Sequence, residues 1–251
     1  MPNVKPAMRA IYIPILLFFV AFLVVPLGVL FVRSFETGEG FNLSNFAEVL
    51  SNGELMTSIG NSIKISGLAA VITTVLAFTL AYAVNCTRIY RPLKAAIKIG
   101  ILLPMLLPTI TYGFAIIYSF GNQGLLTKIF GRNLFEIYGF NGLLIGYVIY
   151  TLPAAFLLIH NSFKYIDKKF IVVSKLMGDG IIRSFRNTII RPLVGTLGGA
   201  FVLSFILSFT DFGIPASIGG TYTVVATQLY QVMLGSIPNF NHGAVIAILM
   251  L

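Results

Sequence analysis

Charge is scarce in this sequence. Only 10% of its 251 residues are Asp, Glu, Lys or Arg, against about 25% in an ordinary soluble domain. Apolar residues make up 57%, and the mean hydropathy is +0.92. A water-soluble chain of this composition has too little polar surface to cover its core, so lipid must be the solvent for much of it. A single cysteine, Cys86, excludes an internal disulfide and gives no metal-ligand spacing. Tryptophan is absent, so any interfacial aromatic belt rests on Tyr and Phe. There is no GxxxxGK phosphate loop, no HExxH and no GxSxG, so nucleotide binding through that loop and these two hydrolytic mechanisms are not encoded. The only histidines, His160 and His242, have no partner at ligand spacing and read as structural or interfacial residues. No cofactor or metal is called for.

What is present is a set of long apolar runs. Ile11–Val32, Ile65–Val84, Ile99–Phe120, Gly142–Ile159 and Leu193–Thr210 carry almost no charge. Each approaches the roughly 20 residues that a helix needs to cross the hydrocarbon core. A sixth run, Gly243–Leu251, begins and stops after nine residues, so the chain reads as truncated within a sixth helix. The expected fold is all-α: a polytopic bundle of five complete transmembrane helices and an incomplete sixth, in a single domain over residues 1–251. The first run is too long for a secretory signal core and lacks a small-residue cleavage site before Arg33, so it reads as an uncleaved helix.

The basic residues set the orientation. With the N-terminus in the cytoplasm, the inside segments hold 13 of the 17: Lys5, Arg9, Arg88, Arg91, Lys94, Lys98, Lys164, Lys168, Lys169, Lys175, Arg183, Arg186 and Arg191. Arg33, Lys64, Lys128 and Arg132 stay outside, together with six of the eight acids, Glu36, Glu39, Glu48, Glu54, Glu136 and Asp211. Lys and Arg retained on the cytoplasmic side fix topology. The net charge of +9 is therefore topological and carries no nucleic-acid footprint.

Three places depart from plain spans. Pro104 and Pro108 in the third run, and Pro153 in the fourth, free backbone carbonyls and predict helices bent around a pathway. The segment Phe212–Asn241 has no charged residue, yet it is rich in Gly, Pro, Thr, Tyr and Gln. It reads as an element dipping at the outer mouth of a pathway. Asp211, which precedes it, is the only acid close to a helix core. An acid near membrane depth is a functional candidate by default, and the expected path set is Asp211, Phe212, Gly213, Pro215, Tyr222 and Gln228. The third departure is the long inside segment Asp167–Arg191. It is polar and basic, with room for two short helices around Gly178-Asp179-Gly180.

That inside segment resembles the cytoplasmic loop of permease subunits of binding-protein-dependent ABC importers. Their E-A-A-x-x-x-G motif falls on Val172, Val173, Ser174 and Gly178, followed by an aromatic at Phe185 and a closing hydrophobic-x-x-Pro at Ile189 and Pro192. The motif's acid is missing, and Arg191 stands where an apolar residue is usual. Asn61-Ser62, Leu103-Pro104, Leu107-Pro108, Gly121-Asn122-Gln123-Gly124-Leu125, Tyr150-Thr151-Leu152-Pro153 and Asp211-Phe212-Gly213-Ile214-Pro215 are also similar to this family, most of all to its ferric-iron and 2-aminoethylphosphonate branch.

The resemblance implies a multi-pass plasma-membrane or inner-membrane transport subunit, not an enzyme. It implies an ATPase-coupling loop at 167–191 whose contacts are Val172, Val173, Ser174, Leu176, Met177, Gly178, Asp179 and Pro192. The implied partners are ATP-binding cassette ATPase subunits, a second permease unit (a separate copy, a different chain or a fused half) and an extracytoplasmic binding protein. A polyamine or thiamine importer permease is the alternative within the family. An intramembrane enzyme would need facing polar catalytic pairs, and an ion-coupled transporter buried acids or inverted repeats; neither pattern is present.

Overall fold

The computed structural model describes residues 6–38, 40–133, 135–167 and 169–251, with side chains for all of these except 6–10, 171 and 175. The topological charges read at Lys5, Glu39 and Lys168 lie outside the described residues, as do the side chains of Arg9 and Lys175. Four helices among the described residues are long and apolar enough to cross a membrane: Ile11–Phe35, Gly53–Cys86, Phe140–Tyr165 and Ile181–Phe209. Counting one sharply bent pair as a single span makes five. The chain forms two compact units, one made of the chain up to Thr57 with Gln228–Leu251, the other of Ser58–Thr227.

In the first unit, α1 (Pro6–Phe19) runs through a wide five-residue turn, Val20–Val24, into α2 (Val25–Phe35). The wide turn has a cause. Pro26 has no N–H and its ring would strike the carbonyl four residues back. Letting the Val25 N–H reach Val20 O opens the turn and lets the helix continue. A two-residue antiparallel hairpin follows, β1 (Glu36–Thr37) with β2 (Gly40–Phe41), then α3 (Ser44–Ser51). The Asn42 carboxamide oxygen accepts from the Ser44 N–H at 2.9 Å and starts that helix. Buried Asn45 donates to Ser34 O and Glu36 O, and Asn241 donates to Glu36 O. Together these bonds fix the turn beneath α3.

The second unit begins within α4 (Gly53–Cys86), continues through α5 (Arg91–Leu102), a tight turn at Leu103–Leu106, α6 (Thr109–Phe120), α7 (Leu125–Phe130) and α8 (Phe140–Ser162), and reaches α9 (Lys169–Leu176). Then come α10 (Ile181–Phe185), a second wide turn at Arg186–Ile190, α11 (Arg191–Phe209) and α12 (Gly213–Ile218). α13 (Val225–Leu234) starts here, and α14 (Phe240–Met250) belongs to the first unit.

The structure breaks the expected third span instead of merely bending it. Leu107, pushed out of helical conformation by the following Pro108, is extended, and the axes on either side differ by 113°. The Pro104 carbonyl accepts from the Leu107 N–H at 2.9 Å and also from the Tyr112 hydroxyl, which ties α6 back to the break. Pro153, by contrast, sits inside an unbroken α8. At Pro192 the device of the first helix is repeated: the Arg191 N–H reaches Arg186 O, and α10 runs through the wide turn into α11. The second half of the expected inside loop is thus continuous with the fifth span.

Segment Phe212–Asn241 opens with α12, a short helix sunk in the unit's core. Ile214 and Ile218 are fully buried against Ile65, Ile116, Leu143 and Tyr147. Glycines make room for it. A Cβ on Gly146 would meet Ile214 Cγ2 at 2.7 Å, and one on Gly213 would meet Thr109 Oγ1 at 2.2 Å and the Ile110 backbone nitrogen at 2.6 Å. Small residues at such crossings are how helices approach closely in lipid, where no hydrophobic effect drives them together.

Gly213→Ala is expected to destabilise the protein by about 1–3 kcal/mol through overpacking against backbone that cannot yield. Gly198→Ala, where no atom lies within 4 Å of the added carbon, is expected to be neutral or mildly stabilising in helix α11. Thermal unfolding of both variants in one detergent checks this; equal melting temperatures would refute the close-packing account.

Candidate functional site: an exposed loop turn and a buried carboxylate

The turn after α9 is built by its residues. Asp167 accepts from the Lys169 N–H at 2.9 Å and so starts the helix. At the other end Gly178 has φ +77°, and the Asp179 N–H returns to Ser174 O at 3.1 Å, closing the helix in the manner of a Schellman cap. Space around Gly178 is open, so its role is conformational: a side chain there would meet no neighbour but would pay for left-handed backbone, about 1–2 kcal/mol. The Asp179 carboxylate accepts from Ser174 Oγ at 2.8 Å and sits 3.7 Å from the Arg183 guanidinium. Both acids of this segment are therefore engaged within it.

What the turn offers outward is apolar. Leu176 is 82% exposed, Met177 79%, Ile181 89% and Ile182 83%. Val172 and Val173 are exposed on the same short helix, whereas Ser174 is buried beneath it. A contiguous apolar surface that water would otherwise cover marks an interaction site. Pro192 does not join this surface; it lies at the start of α11 and lines, with Phe170, Val173, Met177 and Asp179, a cavity of about 470 Å³ behind α9.

Asp211 lies two residues past the fifth span, and only 7% of its surface is accessible. Its Oδ2 accepts from the Ile214 N–H at 2.9 Å, and the Gly213 N–H and the Thr109 hydroxyl also bond to the carboxylate. The N-terminal ends of α12 and α6 thus converge on one buried charge, which their unpaired N–H groups and dipoles favour. Burial still pushes the carboxyl above its ordinary range, with the three hydrogen bonds acting in the opposite direction.

Of the other expected path residues, Gly213 and Pro215 are buried with Asp211, Phe212 is exposed and Tyr222 half-buried. Gln228, also half-buried, belongs to the first unit. A strap from Tyr222 to Val225 is tied to the start of α4. Ser58 Oγ donates to Thr223 Oγ1 at 2.9 Å, Asn61 Nδ2 donates to Thr223 O at 3.1 Å, and Ser62 Oγ accepts from the Val225 N–H at 2.8 Å. Thr109, Ser58 and Thr223 carry no motif signal, and their roles come from contacts far apart in sequence.

Asp211→Ala leaves the buried Gly213 and Ile214 N–H groups and the half-buried Thr109 hydroxyl without their acceptor and is expected to cost about 1–3 kcal/mol or more. Asp211→Asn keeps one acceptor oxygen and is expected to fall between Ala and wild type. Melting temperatures in detergent test the order; wild-type stability for the alanine variant would show that the carboxylate holds nothing.

Comparison with known proteins places this architecture. A family model described as binding-protein-dependent transport system inner membrane component matches residues 74–251. The ferric transport system permease protein FbpB of Actinobacillus pleuropneumoniae is 31% identical over 227 residues, covering 88% of this chain and 32% of that protein. A putative ferric transport system permease protein FbpB 1 of Haemophilus influenzae is 30% identical over 227 residues, covering 88% of this chain and 35% of that protein. The chain thus spans about a third of the length of these relatives. The crystal structure of a bacterial ABC transporter involved in import of the acidic polysaccharide alginate superposes with a TM-score of 0.76 over 97% of this chain and 89% of its own, at 13% identity, a likeness of fold alone. Matched over residues 74–251 and built of apolar helices with an exposed turn between the fourth and fifth spans, the chain belongs to the family of multi-pass inner-membrane components of binding-protein-dependent transport systems.

Proposed function

We propose that the chain is a permease unit of an ABC importer with its N-terminus in the cytoplasm, and that its cargo is ferric iron. The observation that carries the coupling part is the exposed apolar turn of α9 and α10. Leu176, Met177, Ile181 and Ile182 would enter a groove on a separate ATPase subunit, with Val172 and Val173 beside them. Gly178 sets the turn, and Asp179, tied to Ser174 and Arg183, holds its shape. Closure of two ATPase subunits on ATP would pull on this turn. Because α10 runs without interruption into α11, the displacement passes into the fifth span and, at its far end, to the Asp211 clamp. The chain itself hydrolyses nothing in this reading.

Asp211, Gly213 and Pro215 serve the pathway from behind, holding the break at Leu107-Pro108 in place, while Phe212 and Tyr222 offer the surface nearer the cargo. Iron as cargo draws on the two ferric-permease relatives. A second permease unit and an extracytoplasmic binding protein complete the assembly.

Met177→Asp would bury an unpaired charge in the groove and is expected to cut ATPase co-purification at least tenfold with membrane insertion intact. Gly178→Val, which strains the turn, is expected to give a smaller loss. Undiminished co-purification of both would remove this turn as the docking site.

Orientation is tested separately. In a Cys86→Ser background, a cysteine at Gly178 is expected to resist an impermeant thiol reagent in whole cells, and one at Glu48 to react. The reverse pattern would invert the topology.

A further inference from the structure

We infer that the short connection between α4 and α6 is a binding stripe for anionic phospholipid headgroups of the cytoplasmic leaflet, resting on the orientation proposed above. Thr87–Lys98 holds Arg88, Arg91, Lys94 and Lys98 and no acid. Arg91, Lys94 and Lys98 recur at intervals of three and four residues, so they share one face of α5. Among the described residues, none of the four has a carboxylate partner at ion-pair distance.

The stripe is tethered closely to the end of a membrane-spanning helix. α4 ends at Cys86 and α5 starts at Arg91, and the four residues between reach at most about 14 Å. It is also held in shape. Lys94 Nζ donates to Thr87 O at 2.8 Å, and the Thr87 hydroxyl donates to Ala83 O. Tyr90, 77% exposed, and exposed Leu93 flank the cations as an interfacial anchor would.

Basic clusters at a helix entry attract anionic lipid and repay each cation with measurable affinity. The turn at Gly178 differs: Leu176, Met177, Ile181 and Ile182 are exposed there, and its basic segment also contains Asp167 and Asp179, both engaged within it. The two cytoplasmic surfaces thus suit different partners, lipid for this one and protein for the other.

The test reconstitutes the protein in vesicles of phosphatidylcholine with an equal part of phosphatidylglycerol, extracts it gently and measures retained lipid by native mass spectrometry. Wild type is expected to retain phosphatidylglycerol in excess. Neutralising Arg88, Arg91, Lys94 and Lys98 to Gln is expected to abolish the excess, each single change lowering it by up to about fivefold. Arg88→Lys with Arg91→Lys should keep it and shows that folding survives. Neutralising the outer set Arg33, Lys64, Lys128 and Arg132 should leave it unchanged. Equal retention of both lipids by wild type, or equal loss in the outer-set control, would overturn the inference. So would full competition by millimolar inorganic phosphate, which would make the occupant a free anion. Loss of ATPase co-purification with the lipid ratio intact would make it a protein contact. Labelling of a cysteine at Tyr90 from outside whole cells would sink the orientation alone, with lipid retention read independently.

Discussion

Lipid offers no hydrogen bonds, and this protein is shaped by that constraint. Every interruption of its helices has to satisfy backbone groups from within. The Asp211 carboxylate does this at the start of α12. It takes up N–H groups at the start of α12 and the hydroxyl at the start of α6, and so allows a helix to end, reverse and begin again inside a packed core. Without that acceptor the short α12 would bury open donors. The close fit of Gly213 against Thr109 and Ile110 follows from the same contact.

Prolines are handled in three ways, each with its own physical outcome. Pro26 and Pro192 are each preceded by a widened turn, which removes the clash and lets the helix run on. Pro153 is carried inside α8 with no change of element. Pro108 ends a helix, because its predecessor Leu107 is extended and the chain redirects by 113°. A continuous helix transmits displacement along its axis and a broken one redirects it. The sequence of α10, wide turn and α11 therefore links the exposed turn at Gly178 to the region of Asp211 as a single rod.

The turn at Gly178 shows how a motif can lose a residue and keep its shape. The position of the family's acid is Val172, and exposed Val173, Leu176 and Met177 lie on the same helix and the turn after it. The left-handed glycine, the return of the Asp179 N–H to Ser174 O and the bond from Ser174 Oγ to the Asp179 carboxylate still define the geometry. Shape is set by backbone and cap, whereas the chemistry of the exposed face varies independently.

Much was legible in the sequence because the information is local. Length and apolarity define the spans, since a helix rises a fixed distance per residue and the bilayer has a fixed thickness. Gly178 marks a turn because few other residues adopt positive φ cheaply. The tertiary structure decided what depends on residues distant in the chain. It broke the third span at Leu107-Pro108, joined the second half of the loop to the fifth span, and buried Ile214 and Ile218 of α12 in the core of its unit. It also gave Asp211 its partners: Thr109 is about a hundred positions away, and no periodicity relates the two. Composition records which groups must leave water, but only packing determines which of them meet.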